Sequence, residues 1–197
     1  MLPLTFDVPL DLDTVPSDLE PEDKWLCELV RADHPALHTP ADIDPFSFKC
    51  NWAQREVDMF KLMHDRMGIG LASPQIGNNY NMFVMVMEGA GDVGVYNPKI
   101  LEVSDEQVNM EEGCLSFPML YIHITRPAKV NVSYTLYDGV TEVEGWLEGM
   151  DARCFQHEYE HLQGELYINN VSKMKLDRAI KKRDKYFREI DRRLQAK

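Results

Sequence analysis

One stretch limits the fold more than any other. From Lys129 to Tyr137 polar and apolar residues alternate, with Val130, Val132, Tyr134 and Leu136 on one side. Asp138-Gly139 then offers a tight turn, and Val140–Leu147 returns. A period of two on both sides of an Asp-Gly pair is a strong local hairpin signal. Further strands are expected upstream at Met82–Met87, an unbroken apolar run, at Val95–Val103 with a break at Pro98, and at Leu120–Ile124. Helical spacing flanks this block. Trp52, Met59, Phe60, Met63 and Met67 predict a helix over Asn51–Met67, capped by Asn51. A second helix is predicted over Met150–Gln163, with Asp151 near its start and Gly164 just past its end. Residues 22–32 predict a short helix. Strands in the middle and helices outside them predict an α+β domain rather than alternating βαβ units.

The chain of 197 residues is 44% hydrophobic, enough for one real core. Met82–Met87 is the longest apolar run and falls far short of a bilayer span, so no membrane role is expected. The acidic N-terminus lacks the basic and apolar segments of a secretory leader. Cys27, Cys50, Cys114 and Cys154 are scattered rather than arranged as a disulfide framework, which points to a reducing cytoplasm. The net charge of −12 argues against a DNA-binding protein, but it is unevenly spread. Residues 1–50 carry 11 acids and 3 bases; residues 173–197 carry 11 bases and 4 acids. The first 33 residues form an acidic, proline-interrupted extension. The last 25 predict an amphipathic helix with Leu176, Ile180, Phe187, Ile190 and Leu194 in a stripe beside a basic face. That helix suits either simple surface packing or an anionic partner such as RNA.

The chemistry concentrates in His157-Glu158-Tyr159-Glu160-His161. Residues four apart on a helix share a face, so both imidazoles can hold one divalent metal while Glu158 handles protons beside it. Met150 and Cys154 fall on that face as well. A hydrolytic centre of this type needs a third ligand and an open position. Cys114, in the loop expected at Glu111–Pro118, is one candidate; Cys27, Cys50 and Cys154 compete, although Cys154 is awkwardly placed three residues before His157. A thiolate favours Fe(II), Zn(II), Co(II) or Ni(II) over Mg or Ca. Gly68–Gly77 carries three glycines and reads either as a turn that leaves Gln75 exposed or as backbone that approaches a ligand closely.

Three segments in order, GIGLASPQIG (68–77), EGCLSFP (112–118) and QHEYEHLQG (156–164), closely resemble the peptide deformylases. The resemblance covers roughly residues 34–172, which it identifies as the catalytic domain. It implies that Cys114, His157 and His161 bind the metal, Fe(II) in the cell and replaceable by Zn(II), Ni(II) or Co(II). Glu158 would be the acid/base, and Gln75 with the Leu115 N–H would stabilise the oxyanion. Ile69, Gly70 and Gly113 would hold the peptide main chain, and Cys154 would line a methionine pocket with Ile69 and His157. Arg126 is expected to pair with Glu112 and position Cys114. The implied substrates are N-formyl-methionyl nascent chains, and the basic helix 173–197 is expected to meet the ribosome. Two positions depart from the family: Glu160 stands where Asp is usual, and Ser73 where Ala is common. Other readings are a metalloendopeptidase, which needs a ligand downstream such as Glu165, and a non-catalytic module that binds nascent chains or ribosomes.

Overall fold

A computed structural model describes residues 27–195 of the chain. It is an α+β fold of two β layers and three helices. Helix α1 is Trp52–Asp65, α2 is Gly149–Leu162 and α3 is Lys173–Gln195. A five-stranded antiparallel sheet has the order β1-β2-β3-β6-β7, from Gly70–Ala72, Met82–Met87, Gly91–Val103, Lys129–Thr135 and Glu142–Glu148. A separate hairpin pairs β4, Gln107–Cys114, with β5, Phe117–Pro127. Among the described residues no helix is long and apolar enough to cross a membrane.

The unbroken apolar run of β2 is explained by burial on both faces. Phe83 and Met85 join Val95, Val132, Phe155 and Leu162 in the core beneath α2. Met82 and Val84 join Met59, Phe60 and Met63 of α1 on the other side. Each fully buried side chain of this size contributes about 1.5–3 kcal/mol. The hairpin around Asp138-Gly139 forms as its alternation predicts, with Val130 opposite Leu147 and Val132 opposite Gly145. Asp138 also stabilises the turn by accepting from the Val140 and Thr141 N–H groups.

Several boundaries differ from expectation. Asn51 does cap α1, its Oδ1 accepting the Gln54 N–H at 3.0 Å. The helix nevertheless ends at Asp65, because Met67 takes a left-handed φ of 57°. Residues 27–31 are not helical and residues 32–33 turn; the rest of the helix expected over 22–32 lies outside the described residues. Pro98 does not end β3; the strand absorbs it in a register shift between Tyr96 and Lys99, beside Asn97 at a φ of 48°. Asp151 does not cap α2. Its carboxylate accepts the Glu88 N–H at 3.1 Å and fastens the helix start to the end of β2. The expected loop at Glu111–Pro118 is in large part strand, with Pro118 inside β5.

Between α1 and the sheet, Glu56 is 3% exposed and its Oε1 has no hydrogen-bond partner. It lies over Gly94, where a β-carbon would collide with that oxygen. Burial pushes the Glu56 carboxyl up to about 7 from an ordinary 4.5, against a hydrogen bond from Tyr96 that lowers it. A raised carboxyl pKa means the folded state holds more protons than the unfolded state between those values. Stability from this group is therefore full below about pH 4.5 and falls as pH rises through 7. Glu56→Gln is expected to stabilise the protein by about 2 kcal/mol more at pH 8 than at pH 5, measured by urea unfolding. An equal effect at both pH values would contradict the buried-acid account.

Candidate active site

Helix α2 lies across the sheet and presents His157 and His161 one turn apart, their rings 5.2 Å apart. The β4-β5 hairpin brings Cys114 to them, with its Sγ 3.2 Å from His161 Nε2. Among the described residues, Cys114, His157 and His161 form a group whose ligand atoms all lie within 4.8 Å of one another. Cys27 and Cys50 pack instead against the α1 core. Cys154 donates its thiol to the Ile69 carbonyl at 3.3 Å, and burial raises its pKa well above the ordinary thiol value. Glu165, the downstream residue a peptidase would need, accepts from Asn169 and is not in the group.

Beneath the ligands lies a buried carboxylate, Glu112. Arg126 donates to it twice, from Nε at 2.7 Å and Nη2 at 3.0 Å. Arg153 Nη1 adds a bond at 2.9 Å, and His157 Nδ1 lies 3.0 Å from the same carboxylate. Burial alone would raise the Glu112 carboxyl, but the bonds from His157 and Arg126 hold it down at about 2. Glu112 is therefore an anion that can only accept, so His157 carries its proton on Nδ1 and keeps the Nε2 lone pair for a metal. One thiol and two imidazoles, one of them fixed in its ligating tautomer, fit a soft divalent ion such as Fe(II), Zn(II), Ni(II) or Co(II). Glu160 sits behind Arg126, with Oε2 accepting from Nη2 at 2.8 Å, and Asn170 donates to its Oε1 at 2.8 Å. The longer side chain at this position thus reaches both partners.

Cys114 and His157 face a cleft of about 560 Å³, with His161 buried behind them. Ile69, Gly70, Gly113, Leu115 and Cys154 all line it, as does Met150. Gln75 is buried there, not exposed on a turn. Its Oε1 accepts the Ala72 N–H at 2.7 Å, which forces the amide nitrogen toward Cys114 Sγ at 3.5 Å and Ser116 Oγ at 3.2 Å. Glu158 is 4% exposed and its Oε2 has no hydrogen-bond partner. Burial pushes its carboxyl up to about 7, while the neighbouring His157 pulls it down. Gly70 permits this approach, since a β-carbon there would lie 2.3 Å from Glu158 Oε1 and 2.7 Å from Cys154 Sγ. The Ile69 carbonyl is used by Val86 N–H and the Cys154 thiol, and its own N–H makes no hydrogen bond among the described residues.

Two positioning residues escaped the sequence reading. Arg153 lies four residues before His157, and that spacing already placed it on the ligand face of α2. Ser116, which holds the Gln75 amide, carries no such pattern.

The fold and this site mark a class of hydrolase with a Cys-His-His group that could hold a metal, beside a buried carboxyl. Residues 26–177 match the family described as polypeptide deformylase. A peptide deformylase of Caulobacter sp. (strain K31) is 45% identical over 129 residues, covering 64% of this chain and 74% of the relative. One from Wolbachia sp. subsp. Brugia malayi is 41% identical over 150 residues, covering 68% and 82%. Among solved structures, the Thermotoga maritima peptide deformylase superposes with a TM-score of 0.69 at 39% identity, covering 75% of this chain and 98% of that one. The Legionella pneumophila peptide deformylase gives 0.73 at 32% identity, covering 87% and 98%. The chain belongs to the polypeptide deformylase family, a family of metal-dependent enzymes.

Glu112→Gln removes the anion that fixes His157 and leaves Arg126 and Arg153 short of one acceptor charge. Metal affinity is expected to fall about 10- to 100-fold, measured by competition with a chromogenic chelator. Unchanged affinity would show that Glu112 does not orient the ligand.

Proposed function

We propose that this chain hydrolyses the N-formyl group from formyl-methionyl peptides and releases formate, with Cys114, His157 and His161 holding Fe(II) in the cytoplasm. The observation that carries this reading is the meeting of the three ligands with an unpaired Glu158 carboxylate oxygen and an oriented Gln75 amide in one cleft. A bound divalent ion would supply Lewis acidity and bring the pKa of a coordinated water toward neutrality.

The protein groups do the rest. Glu158 takes the proton of the attacking water and delivers it to the departing amine. Its raised pKa suits both directions of transfer near neutral pH. As water adds to the formyl carbon, negative charge grows on the carbonyl oxygen. The Gln75 Nε2–H and the Leu115 N–H are the donors for that charge, each worth about 3 kcal/mol of barrier. Gln75 cannot turn away while its Oε1 holds the Ala72 N–H. The N–H of Ile69 and the backbone of Gly70 and Gly113 hold the peptide in an extended pose. Ile69, Cys154 and His157 border the space for the methionine side chain. Gly70 and Leu115 at the cleft wall leave room for formyl and crowd out acetyl, while Leu71 is buried in the core beside α1.

With Fe(II) or Ni(II) loaded anaerobically, the wild type is expected to release formate from formyl-Met-Ala-Ser. Glu158→Ala should retain metal and lose about 10²–10⁴ in kcat. Gln75→Ala should lose about 10²–10³. Absence of formate release from the metal-loaded wild type refutes the reading.

The basic α3 also supports docking to ribosomal RNA. Lys181, Arg188 and Arg192 are exposed on it. Reversing these three charges to Glu is expected to abolish co-sedimentation with ribosomes, and wild-type binding should weaken steeply with salt. Binding that ignores both changes would sink this assignment.

A further inference from the structure

A second cavity, of about 290 Å³, adjoins the mouth of the catalytic cleft. Met119 and Tyr121 belong to the walls of both. Tyr121 lays its ring against Gly113, where a β-carbon would sit 2.7 Å away, yet the residue is 52% exposed. Met119 takes a left-handed φ of 60° beside it. The opposite wall is α3, through Lys182, Arg183, Lys185 and Tyr186.

The position of α3 follows from how it packs. Leu176, Ala179 and Ile180 cover Leu120, Ile122 and Ile124 of β5, and Lys175 donates to the His123 carbonyl. Beyond Ile180 the helix reaches the level of Met119 and Tyr121, where the cleft opens. Arg183 is paired with Asp184 at 2.9 Å. Lys182 and Lys185 make no salt bridge among the described residues. Glu189 is the one acid in the lining, and it pairs with Arg193. The groove is thus a cationic wall that also carries Tyr186, facing Met119 and Tyr121, and it shares those two residues with the cleft.

The geometry points to an extended substrate site: the peptide downstream of the residues held beside His157 leaves the cleft over Met119 and Tyr121 and lies along α3, where Lys182 and Lys185 select acidic side chains. This rests on the deformylase reading of the cleft. An extended chain alternates its side chains, so it can place some on the tyrosine wall and others against the lysines. Two exposed lysines give a modest, salt-sensitive preference.

The test compares formate release from formyl-Met-Ala-Ser with release from the same tripeptide extended by six residues rich in Asp, Ser or Lys. The tripeptide is the reference for each variant. At about 20 mM salt, the Asp extension is expected to lower KM about three- to tenfold against the Ser extension, and the Lys extension to raise it. The preference should vanish near 0.5 M salt and in the double variant Lys182→Glu/Lys185→Glu. Equal KM values for the three extensions overturn the proposal. So does a preference that survives in the double variant while ribosome co-sedimentation is lost, which assigns this face to RNA. A wild type that is inactive on the tripeptide defeats the deformylase reading instead. Fluorescence anisotropy of labelled Asp- and Lys-rich peptides then tests the groove by itself.

Discussion

The arrangement depends on one buried anion. A carboxylate in a protein interior costs several kcal/mol unless donors replace its lost water. Glu112 meets that requirement with two bonds from Arg126, one from Arg153 and one from His157. These donors come from β5 and α2, while Glu112 itself belongs to β4. The same four bonds therefore hold the hairpin against the helix and hold Cys114, two residues along the strand, against the two histidines. Removing any one donor would not only delete a contact. It would leave charge uncompensated in a buried position, which is why packing and the placing of Cys114 and His157 cannot be separated here.

Beside this base one carboxylate oxygen is left without a partner and one amide is held in a fixed orientation. Glu158 has a buried oxygen without a hydrogen bond, and Gln75 presents its amide nitrogen because its oxygen is already bound. The unpartnered Glu158 oxygen would be costly in a protein selected for stability alone. Glycine at position 70 lets the Glu158 carboxylate sit against the strand that would carry the substrate. Glu160 performs a different task from Glu158 two residues away. It neutralises the outer side of Arg126, so the guanidinium that holds Glu112 is matched on both sides.

What the sequence disclosed followed from periodicity, and what it hid followed from its interruption. The β6-β7 hairpin and helix α2 were legible because their apolar residues keep periods of two and of three to four. Strand β4 was not. Its inward positions run Val108, Met110, Glu112, and the charged residue breaks the apolar alternation at the very place where it is buried. Arg126 does the same to β5 after Leu120, Ile122 and Ile124. Read as a pair, an acid and an arginine on inward registers of adjacent strands are the mark of a buried ion pair. Strand β1 has only three residues, too few for any period, so the glycine-rich segment resembled a turn and the burial of Gln75 was not evident. The Cys-His-His grouping came from the resemblance, since spacing alone left four cysteines in competition.

Charge distribution, finally, matters more here than net charge. A formal charge of −12 describes the field far from the molecule, where salt has already screened it. Within about 10 Å, the range over which exposed charges still act at ordinary ionic strength, the local lysines and arginines set the potential. The position of α3 is fixed by apolar contacts to β5 made in its first half, which leaves Lys182, Arg183 and Lys185 of its middle turns beside the cleft mouth. A hydrophobic contact thus decides where an electrostatic surface stands. Any acidic segment approaching the cleft meets an attractive field on one side of its mouth while the body of the protein repels it. Discrimination between peptides of different charge then arises at the mouth, with no change required in the ligands or in Glu158.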